Sequence, residues 1–135
     1  MIDGRATLGR IEKLGAERGR SHGLATVFLQ SNKEGELVEF LQEARTGASG
    51  IILNAAAYTH TSVAILDALQ MLNLPVIGVH LSNPARREDF RHLSYVAKAA
   101  AGTIAGLGVN SYLLAIDAVA TILAGFWILM SGTFF

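Results

Sequence analysis

Ile51 to Ser62 reads IILNAAAYTHTS, and a second stretch of the same build, VIGVHLSN, runs from Val76 to Asn83. Each is a short apolar run with β-branched members that stops abruptly at small and polar residues. Such runs suit strands buried on both faces. Asn54 closes the first run, and His60, Thr61 and Ser62 fall where a helix is expected to start. His80, Ser82 and Asn83 end the second. Two such strands side by side bring Asn54, His60, His80 and Ser82 together at their carboxyl ends, where open α/β sheets keep their ligand sites.

Working outward, Leu8, Ile11 and Leu14 recur at helical spacing behind Thr7, predicting a first helix from Thr7 to Arg20. Ala25 to Leu29 (ATVFL) reads as a strand leading to Asn32, a candidate cap for a second helix with Leu37, Val38, Phe40 and Leu41 on its buried stripe. Gly47 to Gly50 ends that helix. A third helix is expected from Ser62 to Leu72, a strand after Pro75, a glycine-rich apolar strand within Lys98 to Gly108, and a last helix from Tyr112 to Leu123. The charged stretch from Arg86 to Arg91 is too short and polar for a core element. Alternating helices and strands predict a parallel sheet covered on both faces, although the chain opens on a helix where a doubly wound fold normally opens on a strand.

Composition bounds the rest. A chain of 135 residues makes one domain with a single core. Eleven basic and eleven acidic residues leave no net charge, so no global field favours nucleic acid. The absence of cysteine excludes disulfides and thiolate metal sites. The first residues carry Asp3, Arg5, Arg10, Glu12 and Lys13 without an apolar segment, unlike an export signal, and a cytoplasmic location is expected.

Four ordered motifs then carry a family resemblance: QSNKEGELVEFLQEA (Gln30 to Ala44), GIILNAAAYTHTSVAILDAL (Gly50 to Leu69), PVIGVHLSNPARREDFRHLSYV (Pro75 to Val96) and AGLGVNSYLLAIDAV (Ala105 to Val119). Together they resemble type II 3-dehydroquinate dehydratase over roughly Ile2 to Leu123. The resemblance implies a flavodoxin-like, doubly wound parallel sheet and a trimer-based homododecamer. It implies removal of water from 3-dehydroquinate to give 3-dehydroshikimate in the shikimate pathway, with no metal or organic cofactor.

It also implies roles for residues. Asn54 matches the asparagine that binds substrate and fixes a bridging water. His60 matches a substrate-binding histidine, and His80 the general acid that protonates the departing hydroxyl. Leu81 and Ser82 match positions that hold the substrate carboxylate through backbone amides and a hydroxyl. Arg87 and Arg91 match the two arginines of the family's charged segment, and Asp67 an aspartate that reaches the neighbouring subunit's site. These types suit elimination beside a ketone, where a proton leaves carbon and charge grows on the carbonyl oxygen. Histidine is a suitable acid because its unperturbed pKa is about 6.5.

The departures from the family pattern concentrate on the base. The family's first strand and its lid with an arginine and a catalytic tyrosine have no counterpart, and Asp3 stands at the tyrosine position. Gly78 replaces a glutamate, Ala56 and Ala57 replace a proline–glycine turn, and Ala85 replaces a histidine. A carboxylate with a pKa of about 3.9 is a weak base for carbon, so turnover is expected to be impaired. The alternatives are a non-catalytic carboxylate-binding protein and a truncated assembly subunit of the same fold.

Residues 1–123 are expected to form the family domain and residues 124–135 an apolar tail outside it. Ala118 to Phe135 carries no charge. Its first part completes the last helix, however, and the remainder is too short to span a bilayer, so no membrane partner is expected. One role considered for Phe126 to Met130 is to fill the gap left by the missing strand.

Overall fold

The computed structural model describes residues 8–124. The expectations placed on Asp3 and on residues 125–135, including gap filling by Phe126 to Met130, lie outside the described residues. Five helices and three strands alternate: α1 (Leu8–Ser21), α2 (Glu34–Gly47), β1 (Ile51–Leu53), α3 (Val63–Gln70), β2 (Val76–His80), α4 (Tyr95–Ala99), β3 (Gly102–Ala105) and α5 (Val109–Leu123). The strands form one parallel sheet in the order β1-β2-β3, with Ile52 opposite Ile77 and Gly78 opposite both Leu53 and Thr103.

Period-two alternation along β2 builds a core on each face of this sheet. Val76 packs with Leu53, Leu41 of α2, Ile65 and Leu69 of α3, and Val96 of α4. Ile77 and Val79 point the other way, onto Ala115 and Val119 of α5. The arrangement is α/β with helices on both faces, as the sequence pattern predicts. Gly78 lies on the first face, where an added Cβ would come within 3.3 Å of Val96 Cγ1. A residue larger than glycine therefore requires α4 to give way. On the second face, Asp117 of α5 accepts hydrogen bonds from Arg18 of α1 (2.6 Å) and His22 (2.7 Å), tying the two helices together.

The helix starts follow local chemistry. Ser62 accepts from the Ile65 N–H at 2.9 Å and Ser94 from the Ala97 N–H at 3.1 Å, each satisfying a donor left free in a first turn. Asn32 does not cap α2. Lys33 holds that position without a side-chain bond, and the Asn32 carbonyl accepts from the Tyr58 hydroxyl instead. The sequence pattern also missed α4. Its five residues bury only Val96, too short a run for a helical period to show, yet it supplies the crossover that a parallel β2–β3 pair requires.

The strand expected at Ala25 to Leu29 is not formed. β-branched, apolar composition favours extended backbone, but a strand needs a hydrogen-bonded neighbour. Among the described residues this segment has none. This segment lines a cavity of about 630 Å³ together with Ile11, Ile116 and Ile52 to Asn54 of the β1 side. Val27 and Leu29 are consequently 83% and 54% exposed.

Candidate active site

The carboxyl ends of β1 and β2 open into a cavity of about 210 Å³. Asn54 follows β1 directly, His80 is the last residue of β2, and Leu81 and Ser82 continue from it. The turn from Ala56 to His60 and the charged segment after Pro84 close the sides, contributing His60, Arg87 and Arg91. The structure thus brings together Asn54, His60, His80, Leu81, Ser82, Arg87 and Arg91. Asp67 is not among them: it lies on the exposed side of α3, away from this lining.

Each polar side chain is held. Asn54 Oδ1 accepts from the Ala56 N–H at 3.0 Å, and Nδ2 donates to the Tyr112 hydroxyl at 2.9 Å. Ala56 itself adopts φ +51°, a left-handed conformation that costs an L-residue roughly 1–2 kcal/mol. His60 Nδ1 lies 2.7 Å from the Leu93 carbonyl, which can only accept, so Nδ1 carries the proton and Nε2 is left for the cavity. The edge of the Phe90 ring meets the imidazole at a centroid distance of 6.4 Å. Arg91 stacks its guanidinium 4.9 Å from the same ring and donates from Nε to Glu88 at 2.6 Å, which fixes the fork near the site. The Glu88 carboxyl is held below its ordinary value by a hydrogen bond to its own backbone and then by Arg91.

His80 is half-buried, and burial pushes its pKa below the usual histidine value, with the nearby His60 adding to the shift. At neutral pH His80 is therefore mainly a neutral imidazole. Two arginines, with no carboxylate on the lining among the described residues, make an anion-seeking pocket. The same count shows what the lining lacks. Among the described residues it holds neither a carboxylate nor a phenol.

Sequence reasoning attached no role to Tyr112, Phe90 or the Leu93 carbonyl. Tyr112 had a signal of sorts: an asparagine at a strand end must find partners for both ends of its amide, and the quoted AGLGVNSYLLAIDAV motif contains the phenol that supplies one.

Comparison with known proteins agrees with this geometry. The profile of the family described as Dehydroquinase class II matches residues 1–120. The 3-dehydroquinate dehydratase of Caulobacter sp. (strain K31) is 52% identical over 119 residues, spanning 88% of this chain and 81% of that protein. The enzyme of the same name from Methylobacterium radiotolerans is 50% identical over 124 residues, 92% of this chain and 83% of the relative. Among solved structures, the type II dehydroquinase from Propionibacterium acnes superposes with a TM-score of 0.83 at 38% identity, covering 87% of this chain and 86% of the other. The fold, the loops that carry the polar residues and the matched length all lead to one assignment: the chain belongs to the class II dehydroquinase family.

Proposed function

We propose that the chain binds 3-dehydroquinate in the β1–β2 cavity and eliminates water from it to give 3-dehydroshikimate, slowly because Asp3 is a weak base for carbon. The observation that carries this reading is the convergence of Asn54, His60, His80, Ser82, Arg87 and Arg91 on one small cavity at the strand ends. The substrate carboxylate takes the Leu81 and Ser82 backbone amides and the Ser82 hydroxyl, with Arg87 and Arg91 supplying long-range attraction. His60 Nε2 and the Asn54 amide orient ring hydroxyls and the bridging water. An arriving anion favours protonation of His80, which then donates to the leaving hydroxyl as the C–O bond breaks. Asp3 is the proposed acceptor of the carbon-bound proton, a weak base by its ordinary pKa. No cofactor enters this scheme.

The experiment is to follow the ultraviolet absorbance of the conjugated enone as 3-dehydroquinate is consumed. Slow turnover that His80→Ala abolishes supports the reading; a parent protein with no enone formation overturns it. A second reading, carboxylate binding without turnover, is favoured by the lining's having neither a carboxylate nor a phenol among the described residues. Calorimetric binding of quinate by a protein that forms no enone would select it.

The trimer-based dodecamer is carried over as part of the proposal. Its support is the position of Asp67 on the exposed side of α3, as suits a residue serving a neighbour's site. Light scattering of the full chain tests it. No helix among the described residues is long and apolar enough to cross a membrane, and we place the protein in the cytoplasm.

A further inference from the structure

Asn54 is held from two directions, and the two bonds differ in what they fix. The Ala56 N–H, 3.0 Å from Oδ1, decides which end of the carboxamide is oxygen. A flipped amide would set its NH₂ group against that N–H, donor against donor. The Tyr112 hydroxyl, 2.9 Å from Nδ2, fixes the torsion of the whole group. An asparagine amide offers two N–H donors and two lone pairs. These contacts use one of each, leaving one N–H and one lone pair for whatever enters the cavity that Asn54 lines.

Tyr112 is placed by the other strand. The turn between β3 and α5 is bonded to the end of β2: the Gly106 N–H donates to the His80 carbonyl at 3.2 Å, and the Gly108 N–H to the Leu81 carbonyl at 3.0 Å. Gly106 sits at φ +86°, with Asn83 Cβ only 3.1 Å from where a side chain would begin, so the turn lies close against the strand end. Ser111, fully buried, accepts from the Leu107 N–H at 3.1 Å and locks the first turn of α5 to that loop. The Tyr112 ring then packs on the Ile77, Val79, Ala115 and Val119 cluster, which leaves its hydroxyl to reach Asn54. Burial holds that phenol above its ordinary pKa, so it stays protonated at neutral pH.

We infer that Tyr112 is a positioning residue: through the first turn of α5 it transmits the placement of His80 and Leu81 to the Asn54 carboxamide, fixing the spacing between the two halves of the site. The inference rests on the proposed role of Asn54 and His80 in binding and dehydration. Tyr112 touches no substrate in this account. It acts through Asn54 alone, and that restriction makes it testable.

The test is a double-mutant cycle on the full chain with Tyr112→Phe, Asn54→Ala and the combination. Phenylalanine keeps the ring in its packing and removes only the hydroxyl. Removing one preorganised donor from a site commonly costs about 10²–10³ in turnover, so misorienting one is expected to cost roughly ten-fold in kcat, with KM changed less than about two-fold. In the Asn54→Ala background Tyr112→Phe is expected to add nothing. In parallel, ¹⁵N–¹H spectra should show the Asn54 side-chain amide protons protected in the parent and exchanging freely in Tyr112→Phe.

An equal loss from Tyr112→Phe with and without Asn54 overturns the inference, because a merely structural tyrosine acts independently of the carboxamide. Unchanged kcat and unchanged Asn54 amide protection in Tyr112→Phe overturn it as well. If the parent forms no enone but binds quinate, the dehydratase reading fails while the inference is still decided, by running the same cycle on quinate affinity. Loss of Asn54 amide protection together with a non-additive affinity cycle supports it there. A parent that neither turns over nor binds quinate overturns both.

Discussion

The carboxyl end and the outer edge of β1 sit in contrasting surroundings. At its carboxyl end, Asn54 is bonded on both sides of its amide and the neighbouring strand end is tied to the β3–α5 turn. Along its outer edge, the segment from Ala25 to Leu29 lines a cavity of about 630 Å³ and has no strand partner among the described residues. The binding half of the site is therefore supported by the β1–β2–β3 pairing. What the difference teaches is that pocket geometry needs only its own strand ends and the loops that brace them. A sheet can lack pairing on one flank and still present an ordered polar cluster at its carboxyl edge.

The comparison can be broken first at the site. His80→Ala removes the proposed acid and is expected to lower enone formation by about two to four orders of magnitude, with the unfolding midpoint in urea little changed. A collapse of stability instead would mean that the site end is holding the fold together. Next comes the complete core. Ile65 is fully buried between α3 and the sheet, and Ile65→Ala should cost roughly 2–5 kcal/mol in urea unfolding. Val27→Thr, on the open flank, should stay within about 0.5 kcal/mol because the side chain is already in solvent. A large loss there would show that the flank is packed after all.

Smaller effects sharpen the picture at the site. Ala56→Gly relieves a left-handed φ of +51° and should raise stability by roughly 1 kcal/mol, measured as a shift of the same urea transition. If the gain comes with weaker quinate binding, the strain is serving the pocket by fixing the Asn54 turn. The His80 pKa gives a pH signature. Folding lowers it, so the stability tied to the neutral imidazole is complete above about pH 6.5 and declines as pH falls from there through the folded value. An anionic ligand should raise that pKa, so binding takes up a proton and quinate should bind more tightly as pH falls toward the lowered value of the free protein. Histidine NMR titration with and without quinate reads both effects.

Much of this was legible in the sequence because the informative signals were local. The runs IILN and VIGVH declare buried strands, and polar residues that end such runs fall at a common sheet edge whatever the rest of the chain does. The family motifs named the residues that now surround the cavity. Besides α4, several features were not legible, each for a physical reason. Ala25 to Leu29 has the composition of a strand, but pairing is a property of the neighbour and not of the segment. Lys33 rather than Asn32 begins α2, because the loop before it is pulled to Tyr58 by the bond to the Asn32 carbonyl. Tyr112 looked like one more apolar helix residue, since its hydroxyl acquires meaning only when α5 is laid against the end of β1.

The outer edge of β1 has a further consequence. Among the described residues β1 is an edge strand beside an apolar hollow, and such an edge is a template for pairing with any extended chain that arrives. Such a molecule is expected to be sensitive to its own concentration during synthesis, when strands of other copies are exposed and compete for the same edge. Yield of folded material should rise at low temperature and slow expression, and fall when copies accumulate quickly. How much of this protein a cell can keep dissolved is then set at that edge, on the opposite flank of β1 from the strand that helps build the pocket.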